Sequence, residues 1–137
     1  MALDLTIVTP EGEAFSGTVE TVVLPGAEGE FGVLERHERS LAPLQPGPVQ
    51  IKTGQGSVEW AAVSDGFADV SAEQVVVLVD RCALGRDIDR AEAEGELQQA
   101  QAELDRLSGS EEDLARRSAA EARIRTAEIW LDVAGRG

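Results

Sequence analysis

Strand-type alternation fills residues 1–84 and then stops, and from residue 86 the chain is built of helix formers. That break limits the fold to a β head followed by a helical tail. Apolar and polar residues alternate over 3–9 before the turn Pro10-Glu11-Gly12. A β-rich run at 15–24 follows, then Pro46-Gly47-Pro48 and a second alternating run at 49–53. Gly54-Gln55-Gly56 reads as a hairpin loop into 57–63, and Asp65-Gly66 as a hairpin between that strand and 67–70. Residues 74–79 are almost all β-branched, as expected of a buried strand. Short strands at this spacing with turn chemistry between them predict a sandwich or barrel.

Residues 88–107 contain one glycine and no proline, and Asp89-x-x-Glu92 has the form of a capping box. Ile88, Ala91, Gly95, Leu97, Ala100, Leu104 and Leu107 recur at helical spacing. Ser108-Gly109-Ser110 breaks the helix, and Ser110-x-x-Asp113, with Glu111 and Glu112, starts a second. Its expected apolar stripe is Leu114, Ala115, Ala119, Ala122, Thr126, Ile129 and Val133. Two helices of roughly 18–22 residues joined by a short turn pack as an antiparallel hairpin about 30 Å long. Alanine at the contact positions buries little area, so the hairpin is expected to be weakly held.

The 137 residues carry a net charge of −14, divided as −8 over 1–86 and −6 over 87–137. Such a surface repels phosphate backbones and anionic lipid heads, which argues against nucleic-acid binding and direct membrane adhesion. A single cysteine, Cys82, leaves no internal disulfide and fits a reducing compartment. The start Met-Ala-Leu-Asp shows neither a charged n-region nor an apolar h-region, so no signal peptide is expected. No run approaches the length of a transmembrane span. One histidine, one cysteine and no tyrosine suggest no catalytic triad and no histidine-rich metal site. Neither phosphate-loop nor dinucleotide fingerprint is present. No catalytic residue, metal or cofactor is expected. Glycine-rich residues 22–34, with Pro25, Gly26, Gly29 and Gly32 around Glu28 and Glu30, read instead as an acidic, surface-presented binding loop.

A set of motifs closely resembles the epsilon subunit of bacterial F-type ATP synthases over nearly the whole chain. It comprises Ile7-Val8-Thr9-Pro10-Glu11-Gly12, Phe15-Ser16-Gly17 and Leu24-Pro25-Gly26-Ala27-Glu28-Gly29-Glu30-Phe31-Gly32-Val33-Leu34. His37, Leu41, Pro46-Gly47 and Val63-Ser64-Asp65-Gly66-Phe67-Ala68 complete it in order. The resemblance implies an α+β chain: an N-terminal antiparallel β-sandwich of about ten strands, then a C-terminal antiparallel α-helical hairpin. It divides the chain into a docking domain at 1–85 and a regulatory domain at 86–137.

It further implies a non-catalytic central-stalk subunit that couples c-ring rotation to ATP synthesis. The partners would be the gamma subunit, the c-ring and, through the tail, the alpha/beta head. The subunit would sit at the cytoplasmic face of the plasma membrane and touch it only through the complex. Glu28, Gly29, Glu30, Phe31 and His37 fall where the family meets the c-ring and gamma. In many relatives the hairpin extends and blocks ATP hydrolysis, and the basic residues of the second helix, here Arg116, Arg117, Arg123 and Arg125, approach the beta subunit.

Two departures bear on this. Some relatives bind ATP through an Ile/Leu-Asp-x-x-Arg-Ala motif, but this chain reads Ile88, Asp89, Arg90, Ala91, Glu92, Ala93, with Glu92 in the arginine's place. A carboxylate there repels a triphosphate, and Arg90 points about 200° away around the helix. The alternative of a free-standing ATP-sensing module is weakened accordingly. Glu35-Arg36 also replaces the usual Pro-Gly before the histidine.

Overall fold

Alternation over residues 3–9 puts Leu3, Leu5 and Ile7 on one face, and in the computed structural model all three are fully buried in strand β1 (Leu3–Thr9). The structure describes residues 2–33, 39–54 and 56–136. His37 and the Glu35-Arg36 pair lie outside the described residues. Nine further strands follow: β2 (Gly12–Val19), β3 (Thr21–Gly26), β4 (Gly29–Val33), β5 (Ser40–Leu44), β6 (Gly47–Gly54), β7 (Ser57–Val63), β8 (Gly66–Val70), β9 (Gln74–Val79) and β10 (Cys82–Leu84). A 3-10 turn at Gly85–Asp87 leads into helices α1 (Arg90–Arg106) and α2 (Glu111–Arg136).

The strands hydrogen-bond in the order β10-β7-β6-β3-β5-β8-β9-β1-β2, with β4 attached to β3. Every pairing is antiparallel except β1 with β9. β3 meets β5 through one residue pair, Gly26 opposite Leu44, and there the sheet folds from one layer into the other. Gln45 closes this corner: its backbone N–H donates to the Pro25 carbonyl at 2.9 Å and its Nε2 to the Gly26 carbonyl at 3.0 Å. Between the layers lie Leu5, Ile7, Leu24, Ile51, Val63, Val75 and Val77, all fully buried. At roughly 1.5–3 kcal/mol for each such side chain, this all-aliphatic core is the main source of stability.

The expected hairpin at Gly54–Gly56 is present, with β6 paired to β7 and φ of +99° at Gly54 and +80° at Gly56. The hairpin expected at Asp65-Gly66 is not. β7 pairs with β6 and β10, whereas β8 pairs with β5 and β9, so Asp65 carries the chain from one layer to the other. The β-rich run at 15–24 is two strands, broken at Glu20 where the chain leaves β1 to pair with β6.

In the tail, α1 and α2 pack as an antiparallel hairpin. Asp89 caps α1, its Oδ1 accepting the Glu92 N–H at 3.1 Å. At the start of α2 the reach-back runs two residues further than expected, to Ser108 rather than Ser110. The Asp113 carboxylate accepts from the N–H and hydroxyl of Ser108, both at 2.8 Å, and these bonds hold its pKa below the usual 3.8. The seam also differs from the expected stripes. It runs through Ala93, Leu97, Ala100 and Leu104 on α1, and Arg117, Ala120, Ile124 and Ala127 on α2, at alternating steps of three and four. Ala91, Leu114, Ala115, Ala119 and Ala122, assigned to the seam from their spacing, are exposed. None of the tail's buried residues belongs to the sandwich core.

Candidate interaction surfaces

The acidic segment is tighter than a loop. β3 and β4 form a continuous hairpin in which only Ala27 and Glu28 are unpaired, and Gly29 takes φ +132° to close it. Pro25 and Gly26 are buried within β3, and Gly32 lies in β4. Gly26 cannot be anything larger. A Cβ there would stand 2.6 Å from the Gly29 carbonyl and 2.8 Å from the Phe31 ring. Phe31 is half-buried and packs on the core, which fixes the hairpin while Glu28, Gly29 and Glu30 project into solvent. The structure therefore brings four of the five candidate docking residues together at one tip.

A second surface was not singled out from the sequence. Leu41 on β5, Phe67 on β8 and Leu78 on β9 are 66%, 51% and 46% exposed. Phe67 stands opposite Pro43 on one side and Leu78 on the other, and Leu78 stands opposite half-buried Val8 of β1. These neighbours make one apolar patch on the outer face of the layer. The apolar run at 74–79 concealed it: the strand is buried on one face only, through Val75, Val77 and Val79.

The third feature is a cleft of about 500 Å³ between the hairpin and the sandwich. Ile88, Asp89, Glu92 and Ala93 line it, so the degenerate nucleotide motif does face one cavity. Asp87, Asp89, Glu92 and Glu96 set four carboxylates around it against the two guanidiniums of Arg81 and Arg123. Arg123 is already committed, its Nε and Nη2 donating to Glu96 Oε1 at 3.0 and 2.8 Å. The remaining field is repulsive to phosphate. Titration of the protein with MgATP is expected to give a Kd weaker than about 1 mM. A micromolar constant would overturn this reading of Glu92.

The four candidate arginines of α2, Arg116, Arg117, Arg123 and Arg125, do not form one patch. Arg117 donates to the Leu107 carbonyl at 3.3 Å, satisfying the end of α1, and Arg123 is held by Glu96. Arg116 and Arg125 are exposed, and among the described residues neither is in an ion pair. Cys82 is partly buried in β10, and burial pushes its thiol up to about 11, so it stays protonated and unreactive near neutrality.

Comparison with known proteins gives a consistent picture. Residues 2–85 match the family described as "ATP synthase, Delta/Epsilon chain, beta-sandwich domain". The chain is similar to the ATP synthase epsilon chain of Halalkalibacterium halodurans, 38% identical over 134 residues and covering 98% of each chain. It is 42% identical over 105 residues to that of Magnetococcus marinus, covering 77% of this chain and 76% of the relative. Among solved structures it resembles a chain of the Euglena gracilis mitochondrial ATP synthase, with a TM-score of 0.77 and 25% identity. That match covers 93% of this chain and 78% of the other.

Proposed function

Because the chain belongs to the ATP synthase delta/epsilon family, we propose that it is a non-catalytic rotor subunit of a proton-translocating F-type ATP synthase. In this reading it couples rotation of the c-ring to synthesis in the catalytic head, and its tail restrains hydrolysis. The observation that carries the reading is the apolar patch of Leu41, Phe67 and Leu78 on a chain of charge −14. A soluble acidic domain has no use for such a patch unless a partner covers it. We assign it to the gamma subunit. The tip at Glu28 and Glu30 is assigned to the polar loops of the c-ring, where a basic or amide side chain complements the carboxylates. The subunit is then peripheral, reaching the cytoplasmic face of the membrane only through the assembly.

Residues 1–85 form the docking unit and 86–137 the regulatory unit. Support for this division comes from the core, whose buried residues all lie between Leu3 and Leu84. The α2 arginines reach the alpha/beta head only if the hairpin opens, which requires breaking the Arg123–Glu96 and Arg117–Leu107 contacts. A chain ending at Gly85 is expected to fold and to join gamma and the c-ring. ATP hydrolysis by the assembled complex should rise at least about twofold, the change when an inhibited state holding half of the complexes is removed. Unchanged hydrolysis removes the inhibitory role, and failure of the truncated chain to assemble removes the docking role.

A further inference from the structure

We infer that two reciprocal arginine–tryptophan contacts form a releasable clasp between the helical hairpin and the sandwich. Arg81, between β9 and β10, places its guanidinium 5.1 Å from the ring centroid of Trp130 on α2. Arg136, in the last turn of α2, lies 4.5 Å from the ring of Trp60 on β7. The head thus grips the tail's tryptophan and the tail grips the head's. These are the only two tryptophans in the chain, and both stand at this one junction. Asp132 orients the second contact, accepting from Arg136 Nη2 at 3.2 Å.

Beside these two contacts the junction holds one ion pair, Arg86 Nη1 to Glu59 Oε1 at 2.6 Å, and a small apolar contact. α2 is nine residues longer than α1, and its final turns lie on β7, β6 and the 3-10 turn rather than on α1. Val133 is the largest tail side chain fully buried there, and the cleft of about 500 Å³ separates much of the remaining surface. A guanidinium over an indole at a partly exposed site adds about 0.5–1 kcal/mol to the attachment in each case. Because each contact joins groups from opposite sides, lifting the hairpin breaks both together. The sandwich core is built without any tail residue. Once lifted, a helix pair with an alanine seam frays readily. The clasp is therefore a point where the tail can leave the head without the head unfolding.

The regulatory meaning of the clasp rests on the reading that the hairpin leaves the sandwich to restrain hydrolysis. The clasp itself is tested on the free full-length chain by hydrogen exchange, comparing the parent with Arg81→Gln/Arg136→Gln and Arg81→Lys/Arg136→Lys. The glutamine pair is expected to speed exchange in residues 120–136 about tenfold, the sum of two cation–π contacts at a partly exposed site. Amides of β1 and β9 should keep the parent rate, and the lysine pair should recover part of the loss. Tail exchange within about twofold of the parent overturns the clasp, as does equal acceleration in β1 and β9. Hydrolysis by the assembled complex separates the two ideas. Faster tail exchange with unchanged hydrolysis keeps the clasp and removes the inhibitory role, whereas unchanged exchange removes the clasp whatever hydrolysis does.

Discussion

Alanine in place of Gly66 is expected to cost about 3 kcal/mol of folding stability, the upper part of the usual range for overpacking. Gly66 opens β8 opposite Val79, at the point where the chain arrives from the other layer. A Cβ on it would lie 2.0 Å from the Leu78 carbonyl and 2.8 Å from Val79 Cγ1, and neither a backbone oxygen in a strand nor a buried valine can give way cheaply. Gly95→Ala is the fitting counterpart. Gly95 sits inside α1 with open space around its Cα, so a methyl there meets nothing and removes backbone entropy from the unfolded chain. That substitution is expected to stabilise the tail by about 0.5–1 kcal/mol. Urea unfolding followed by circular dichroism measures both. A loss under about 1 kcal/mol at Gly66 would show that β8 and β9 can part without penalty.

The same glycine shows how far local sequence signals reach. Asp65-Gly66 has the chemistry of a two-residue hairpin, and turn chemistry alone does not reveal which strands will pair across it. The crossing to the second layer is decided by β8 finding β5, a strand that lies far back along the chain. Period-two patterns fared better, because burial of one sheet face selects every second residue. Leu3, Leu5 and Ile7 were readable for that reason, as was the hairpin at Gly54–Gly56. Residues 74–79 were misread as wholly buried since apolar residues on both parities leave no alternation to follow. That misreading hid Leu78 and with it the patch.

The helices show a different limit. Alanine is common on every side of α2, so stripes at 115, 119 and 122 or at 120, 124 and 127 look alike until the partner helix chooses one. The arginines follow from that choice: Arg117 and Arg123 turn toward α1, leaving Arg116 and Arg125 in solvent. The acidic tip was legible as an exposed turn, because Gly29 and its flanking carboxylates have no place in a core. What could not be read was that Gly26 and Phe31 make it a rigid hairpin through a contact across the strands. His37, the remaining candidate at that surface, lies outside the described residues.

Phe67→Asp combined with Leu78→Asp is expected to weaken binding to the gamma subunit by about a hundredfold or more while leaving the fold intact. Both side chains are half-exposed on the outer face, so charging them empties no part of the core. Aspartate at these positions would add two charges to a surface that already holds Asp69 opposite Leu41. In a complex the two carboxylates would be buried against an apolar partner without counter-charges, and removing a central aromatic anchor alone typically costs 2 kcal/mol or more. Roughly 3 kcal/mol for the pair corresponds to a factor above one hundred. Val58→Asp is the control, because Val58 is 45% exposed but lies on β7 in the opposite layer. It should leave gamma binding within about threefold of the parent, less than 1 kcal/mol. Surface-immobilised gamma with the free subunit in solution measures all three proteins. Equal binding by the double variant and the parent would assign the patch to something other than gamma. Rotor attachment would then fall to the Glu28–Glu30 tip and to surfaces beyond it, and torque transfer would have to pass through a charged contact that salt screens.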